Sequence, residues 1–159
     1  MNGVSSKSKD KHFRPWARLL VLLGEQMIRN EVVAISELIK NSYDADADLV
    51  KLRMENVSTS AGHITVWDNG TGIAKDIGFG AWLEPATRHR TKERLDKKRP
   101  EKARPTLGEK GVGRFAAHKL GQIVKLVTRA EGSEKEIVVE IDWSDFQKDE
   151  YLDQVPIKY

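Results

Sequence analysis

None of the 159 residues is cysteine, which excludes disulfide scaffolds, thiolate metal centres and cysteine nucleophiles and leans toward a reducing compartment. Long apolar runs are also missing. The longest, Leu19 to Leu23, falls far short of the roughly 20 residues that a membrane span requires. Polar Ser5 to Lys11 leads to no small-residue cleavage site, so the N-terminus does not read as a signal peptide. The expectation is a soluble, cytoplasmic protein with no membrane partner. His12, His63, His89 and His118 lack metal-ligand spacing. Trp16, Trp67, Trp82 and Trp143 are scattered rather than arrayed, so they read as core anchors and not as a platform for single-stranded nucleic acid. Asn56-Val57-Ser58 is a glycosylation sequon without a secretion signal, and internal repeats are absent.

What the chain does have is enough apolar content, 39%, to build one core in one domain. Net charge is only +3, but it is unevenly spread. Arg88 to Arg104 holds nine Lys/Arg against three Asp/Glu, which leaves 18 basic against 21 acidic residues elsewhere. Such a run is either a solvated loop or a surface that meets the phosphates of a nucleotide or nucleic acid.

Met1 to Asp10 is polar and aperiodic, as in a disordered leader. From Pro15 onward apolar residues recur at helical spacing, with Leu19, Leu20, Leu22 and Leu23 punctuated by Gly24, and a second helix is expected over about Asn30 to Ser42. After Tyr43-Asp44-Ala45-Asp46 the period changes to two. Val50, Leu52 and Met54 form one half-buried strand and Ile64 and Val66 another, with Asp68 continuing on the same side as those aliphatics. A short helix over Ile73 to Leu83, a long basic loop carrying Pro85, Pro100 and Pro105, and a helix over Gly113 to Leu120 closed by Gly121 follow. Ile123 to Thr128 and Glu136 to Trp143 read as an antiparallel hairpin turning near Gly132-Ser133. Helices and strands mix without regular βαβ alternation, so the fold class is α+β.

Three segments carry chemistry. In Glu37-Leu38-Ile39-Lys40-Asn41-Ser42-Tyr43-Asp44-Ala45, the residues Glu37, Asn41 and Asp44 share one helix face. That face is either a solvated stripe or an acid able to orient water, one turn from an amide oxygen suited to a hard cation. In Asp68-Asn69-Gly70-Thr71-Gly72, two glycines beside a strand end allow close backbone approach to a ligand, while inward-facing Asp68 demands a donor. A plain Asn-Gly hairpin turn is the alternative, against which stands the missing alternation after Ile73. In Gly108-Glu109-Lys110-Gly111-Val112-Gly113, glycines precede a helix whose N-terminus can cradle phosphate oxygens. Basic loop rather than strand precedes it, and Arg114 follows it, so it is neither a dinucleotide fingerprint nor a P-loop.

In this order the three segments resemble the N-box, the Asp-x-Gly-x-Gly adenine box and the lid motif of the Bergerat-fold (GHKL) ATPases, the superfamily of gyrase B, MutL, the large heat-shock chaperone and the histidine kinases. The resemblance runs from about Leu19 to Trp143. It implies a two-layer sandwich of helices on a mixed, mostly antiparallel sheet. With the disordered leader taken as 1–14, it also implies an ATP-binding domain at 15–159 with a lid at 84–113, and ATP and Mg²⁺ as ligands.

By the same resemblance Asp68 accepts a hydrogen bond from the adenine amine with Gly72 against the base, Asn41 ligates Mg²⁺, and Glu37 deprotonates water. Gly108, Gly111 and Gly113 wrap the phosphates with Lys110 neutralising charge, and Asp44 supports the pocket. Ala45, Gly70, Ile73 and Val112 complete the implied nucleotide-binding set.

Glu37 favours hydrolysis over a histidine-kinase-like phosphotransfer, which needs no water-activating acid. A nucleic-acid-binding module using the basic loop 88–104 is the alternative from another class. The family's phosphate-side threonine comes from a strand beyond the hairpin, whereas the last threonine here is Thr128. The expectation is therefore an N-terminal fragment of a larger ATPase, with an unpaired sheet edge, further domains in the same chain, and lid closure that drives a change of shape or homodimerisation.

Overall fold

The computed structural model describes residues 12–74, 105, 107 and 113–159. Helix α1 spans Arg18–Met27 and α2 spans Glu31–Asp44. Strands β1 (Val50–Glu55) and β2 (His63–Asp68) pair as one antiparallel hairpin, and β3 (Ile123–Thr128) and β4 (Ile137–Asp142) as another. The fold is α+β. No described helix is long and apolar enough to cross a membrane.

Local sequence accounts for most of these boundaries. Asn30 is extended and its Oδ1 accepts the Val33 N–H at 3.0 Å, capping the first turn of α2. In the first hairpin Val50 lies opposite Asp68, Leu52 opposite Val66 and Met54 opposite Ile64, so the aliphatics and the carboxylate share a face. On the other face Lys51 lies 5.0 Å from the Trp67 ring centre.

Two expectations need correction. Gly24 does not end α1, which continues to Met27. Gly24 instead packs α1 against a second helical segment, where a Cβ would meet the Phe115 carbonyl oxygen in ordinary contact at 3.4 Å. That segment, Gly113–Lys119, is a 3-10 helix and not an α-helix. The helix expected over Ile73 to Leu83 lies outside the described residues beyond Ala74, as do the lid and the basic loop apart from Pro105, Leu107 and Gly113.

The main core gathers Leu20 and Val21 of α1, Phe115, Val139, Ile141, Trp143 and Phe146. A smaller cluster of Ile28, Ala34 and Ala116 ties the start of α2 to the 3-10 helix. The strands form two separate hairpins rather than one ladder. A short seam joins them, made by Glu131 N–H to Thr71 carbonyl (2.9 Å) and Ile73 N–H to Thr128 Oγ1 (2.9 Å).

The edge of β4 is partly covered, because Glu140 N–H bonds the Lys158 carbonyl at 3.1 Å. Residues near the two ends also meet. Trp16 stacks on Tyr151 with ring centres 4.8 Å apart, and Arg14 lies 3.8 Å above the Tyr151 ring and 3.2 Å from Asp153.

His118 packs edge-on against Trp143 with ring centres 5.1 Å apart. Burial pushes its pKa below the ordinary 6.5, opposed by nearby Glu25 and aided by Lys119. The unfolded chain therefore binds this proton more readily than the folded one, so stability is greatest above pH 6.5 and falls as the pH drops from there through the lower folded value. The thermal midpoint is expected to fall between pH 7.5 and 5.5, and His118→Gln to flatten that slope; equal slopes for both proteins would refute the assignment.

Candidate functional site

The site is built where α2 ends. The last carbonyls of a helix have no partner inside it, and here the Ala45 carbonyl finds one outside: it accepts the Thr71 N–H at 2.8 Å and the Thr71 hydroxyl at 3.3 Å. Asp46 then turns the chain in the left-handed region at φ 60, a conformation Asp tolerates better than most residues. Asn69 fixes the same corner from the other side, its Oδ1 accepting the N–H groups of Asp48 and Leu49, both at 2.9 Å.

These bonds bring the first two segments together. Asp68, half-buried at the end of β2, receives the Ser42 hydroxyl on Oδ2 at 2.8 Å and the Gly70 N–H on Oδ1 at 2.9 Å. The inward carboxylate thus has its donors. Each of its oxygens keeps a further lone pair for a ligand. Ser42 is 3% exposed and is the residue that the motif reading passed over. Its place next to Asn41 in the sequence gives no sign of that bond, since Asp68 lies 26 residues further on.

Both glycines of the second segment are required by backbone contacts. A Cβ on Gly70 would stand 2.6 Å from the Ala45 carbonyl oxygen. One on Gly72, whose φ is +69, would stand 2.1 Å from the Arg129 carbonyl oxygen. The segment is therefore no hairpin turn: it is strung between the end of α2 and the end of β3. Ile73 continues it, half-buried against the main core with its N–H on Thr128.

Along α2, Glu37, Asn41 and Asp44 are all half-buried. Glu37 Oε1 is paired with Lys40 Nζ at 2.6 Å. No hydrogen bond ties the Asn41 carboxamide to another of the described residues. Asp44 Oδ1 accepts the Leu107 N–H at 2.8 Å, which holds the residue preceding Gly108 beside the N-box. Gly113 opens the 3-10 helix, which packs on α2. Gly108, Lys110, Gly111 and Val112 lie outside the described residues.

The model of the family described as histidine kinase-, DNA gyrase B-, and HSP90-like ATPase matches residues 29–159. The chain belongs to this ATPase family. No curated protein matches it. The matched region begins one residue before the Asn30 cap and takes in all three segments.

Gly72→Ala is expected to destabilise the domain by about 1–3 kcal/mol, through a strained φ and the clash with Arg129. Gly132→Ala, also at positive φ but with nothing within 4 Å, should cost less. Urea denaturation checks this, and equal costs would show that the hairpin seam is looser than described.

Proposed function

We propose that the domain at 15–159 binds ATP with Mg²⁺ and hydrolyses it, using Asp68 to read the base and Glu37 to activate water. The observation that carries this reading is the Asp68 carboxylate: half-buried, held on both oxygens by Ser42 and Gly70, and set beside the turn of α2 that carries Asn41. So held, it accepts hydrogen bonds in a fixed direction, which suits an exocyclic amine.

The residues present fit Mg²⁺. This ion keeps several waters and takes one or two protein oxygens besides phosphate, so it needs no cage of carboxylates. Among the described residues no three His, Asp or Glu side chains cluster to form one. The Asn41 carboxamide, uncommitted among those residues, would supply the protein oxygen, and the bound ion would neutralise phosphate charge.

Glu37 lies one turn earlier on the same face, where its carboxylate orients water and takes its proton. Lys40, on Glu37 at 2.6 Å, restricts where that carboxylate points. Asp44 anchors the approach to the glycine-rich segment, in which Gly108, Lys110, Gly111, Val112 and Gly113 are assigned to the phosphates. Closure of a lid at 84–113 then couples nucleotide to a change of shape or to dimerisation.

Asp68→Ala removes a charge-assisted acceptor worth about 1.5–3 kcal/mol, so calorimetry with ADP should show affinity reduced by roughly 10- to 150-fold. Equal affinities would reject the base-reading role. Glu37→Gln should leave nucleotide affinity intact while phosphate release falls about 10²- to 10⁴-fold. Undiminished release would remove Glu37 from the chemistry.

A further inference from the structure

The Ser42 hydroxyl is buried, at 3% exposure, yet it is not spent on its own helix. Mid-helix serines commonly bond the carbonyl four residues back, as Ser36 does to Val32 at 2.8 Å. For Ser42 that carbonyl, on Leu38, is 3.4 Å away, whereas Asp68 Oδ2 is at 2.8 Å. A hydroxyl has one proton, and the distances assign it to the carboxylate.

The other oxygen of Asp68 is held by the Gly70 N–H, and Gly70 is itself pressed against Ala45, where even a Cβ would come within 2.6 Å of the carbonyl oxygen. One donor thus belongs to α2 and the other to the loop after β2. Each fixes a different oxygen. The plane of the carboxylate is set by the pair, and both donors at this corner are used up.

We propose that Ser42 is a positioning residue that sets base selectivity through Asp68. By fixing Asp68 as an oriented, acceptor-only group, Ser42 favours a 6-amino purine over a 6-oxo purine. The inference rests on the ATP reading and deepens it, since it concerns how the reading head is held rather than whether one exists. A 6-oxo purine sets its carbonyl oxygen against carboxylate lone pairs, and leaving such acceptors unpaired is where polar sites gain their largest discrimination. Without the Ser42 hydroxyl the carboxylate turns about the single Gly70 contact, and an amine no longer meets a lone pair at a fixed angle.

Calorimetric titration of the wild type, Ser42→Ala and Ser42→Cys with ADP and with IDP tests this, thermal midpoints reporting that each variant is folded. Cysteine keeps nearly the volume of serine but is a weak donor, so it carries the measurement should the alanine variant unfold. The expected result is ADP binding weakened about 3- to 10-fold in both variants, IDP binding changed by less than about 2-fold, and the ADP-to-IDP preference shrunk accordingly. A parallel loss of both nucleotides would mark Ser42 as merely structural and overturn the proposal, as would an unchanged preference. Should the wild type itself not distinguish ADP from IDP, the base-reading role of Asp68 falls and the proposal with it. If the wild type prefers ADP and the variants keep that preference, the Ser42 inference alone falls.

Discussion

The whole arrangement depends on what happens to one carbonyl. Every α-helix ends with main-chain oxygens that its own turns cannot satisfy, and at the end of α2 the oxygen of Ala45 is satisfied by Thr71, from the loop after β2. That bond fixes the distance between a helix bearing Glu37 and Asn41 and a strand bearing Asp68. The Ser42 to Asp68 bond is then short because the two backbones are already docked. Asn69, holding the N–H groups of Asp48 and Leu49, stops the intervening turn from opening.

From this corner the structure extends in two directions. Through Ile73 and Thr128 it reaches the second hairpin, and so the main core around Val139 and Trp143. Through Asp44 and Leu107 it reaches the chain just ahead of the glycine-rich segment. The first link is buried and structural. The second joins the Asp44 carboxylate to the Leu107 main-chain N–H, between the helix and the polypeptide that leads into the glycine-rich segment.

Much of this was legible in the sequence because the signals were local. The change of period from 3.6 to 2 around Asp46 separated helix from strand, and the alternation of Val50, Leu52 and Met54 with the run to Asp68 correctly put the carboxylate on the aliphatic face. The order of the three segments pointed to the ATPase family, whose model covers them. What escaped was non-local. Gly24 reads as punctuation, since nothing nearby in sequence announces that it packs against Phe115. Gly70 and Gly72 were read as room for a ligand, whereas their missing side chains first make room for Ala45 and Arg129. Ser42 was invisible to a helix-face argument because its partner lies 26 residues away. The bridge between Glu140 and Lys158 on the edge of β4 is likewise a pairing that no periodicity encodes.

The contact of Gly72 with the Arg129 carbonyl has an implication for variation. A joint made of main chain against main chain contains nothing that a change of rotamer can accommodate, so it tolerates neither a larger residue nor a shift in register. Diversification of the site is thereby channelled to the side chains around it, and anyone redesigning it does best to hold 70–72 constant and vary residues of α2.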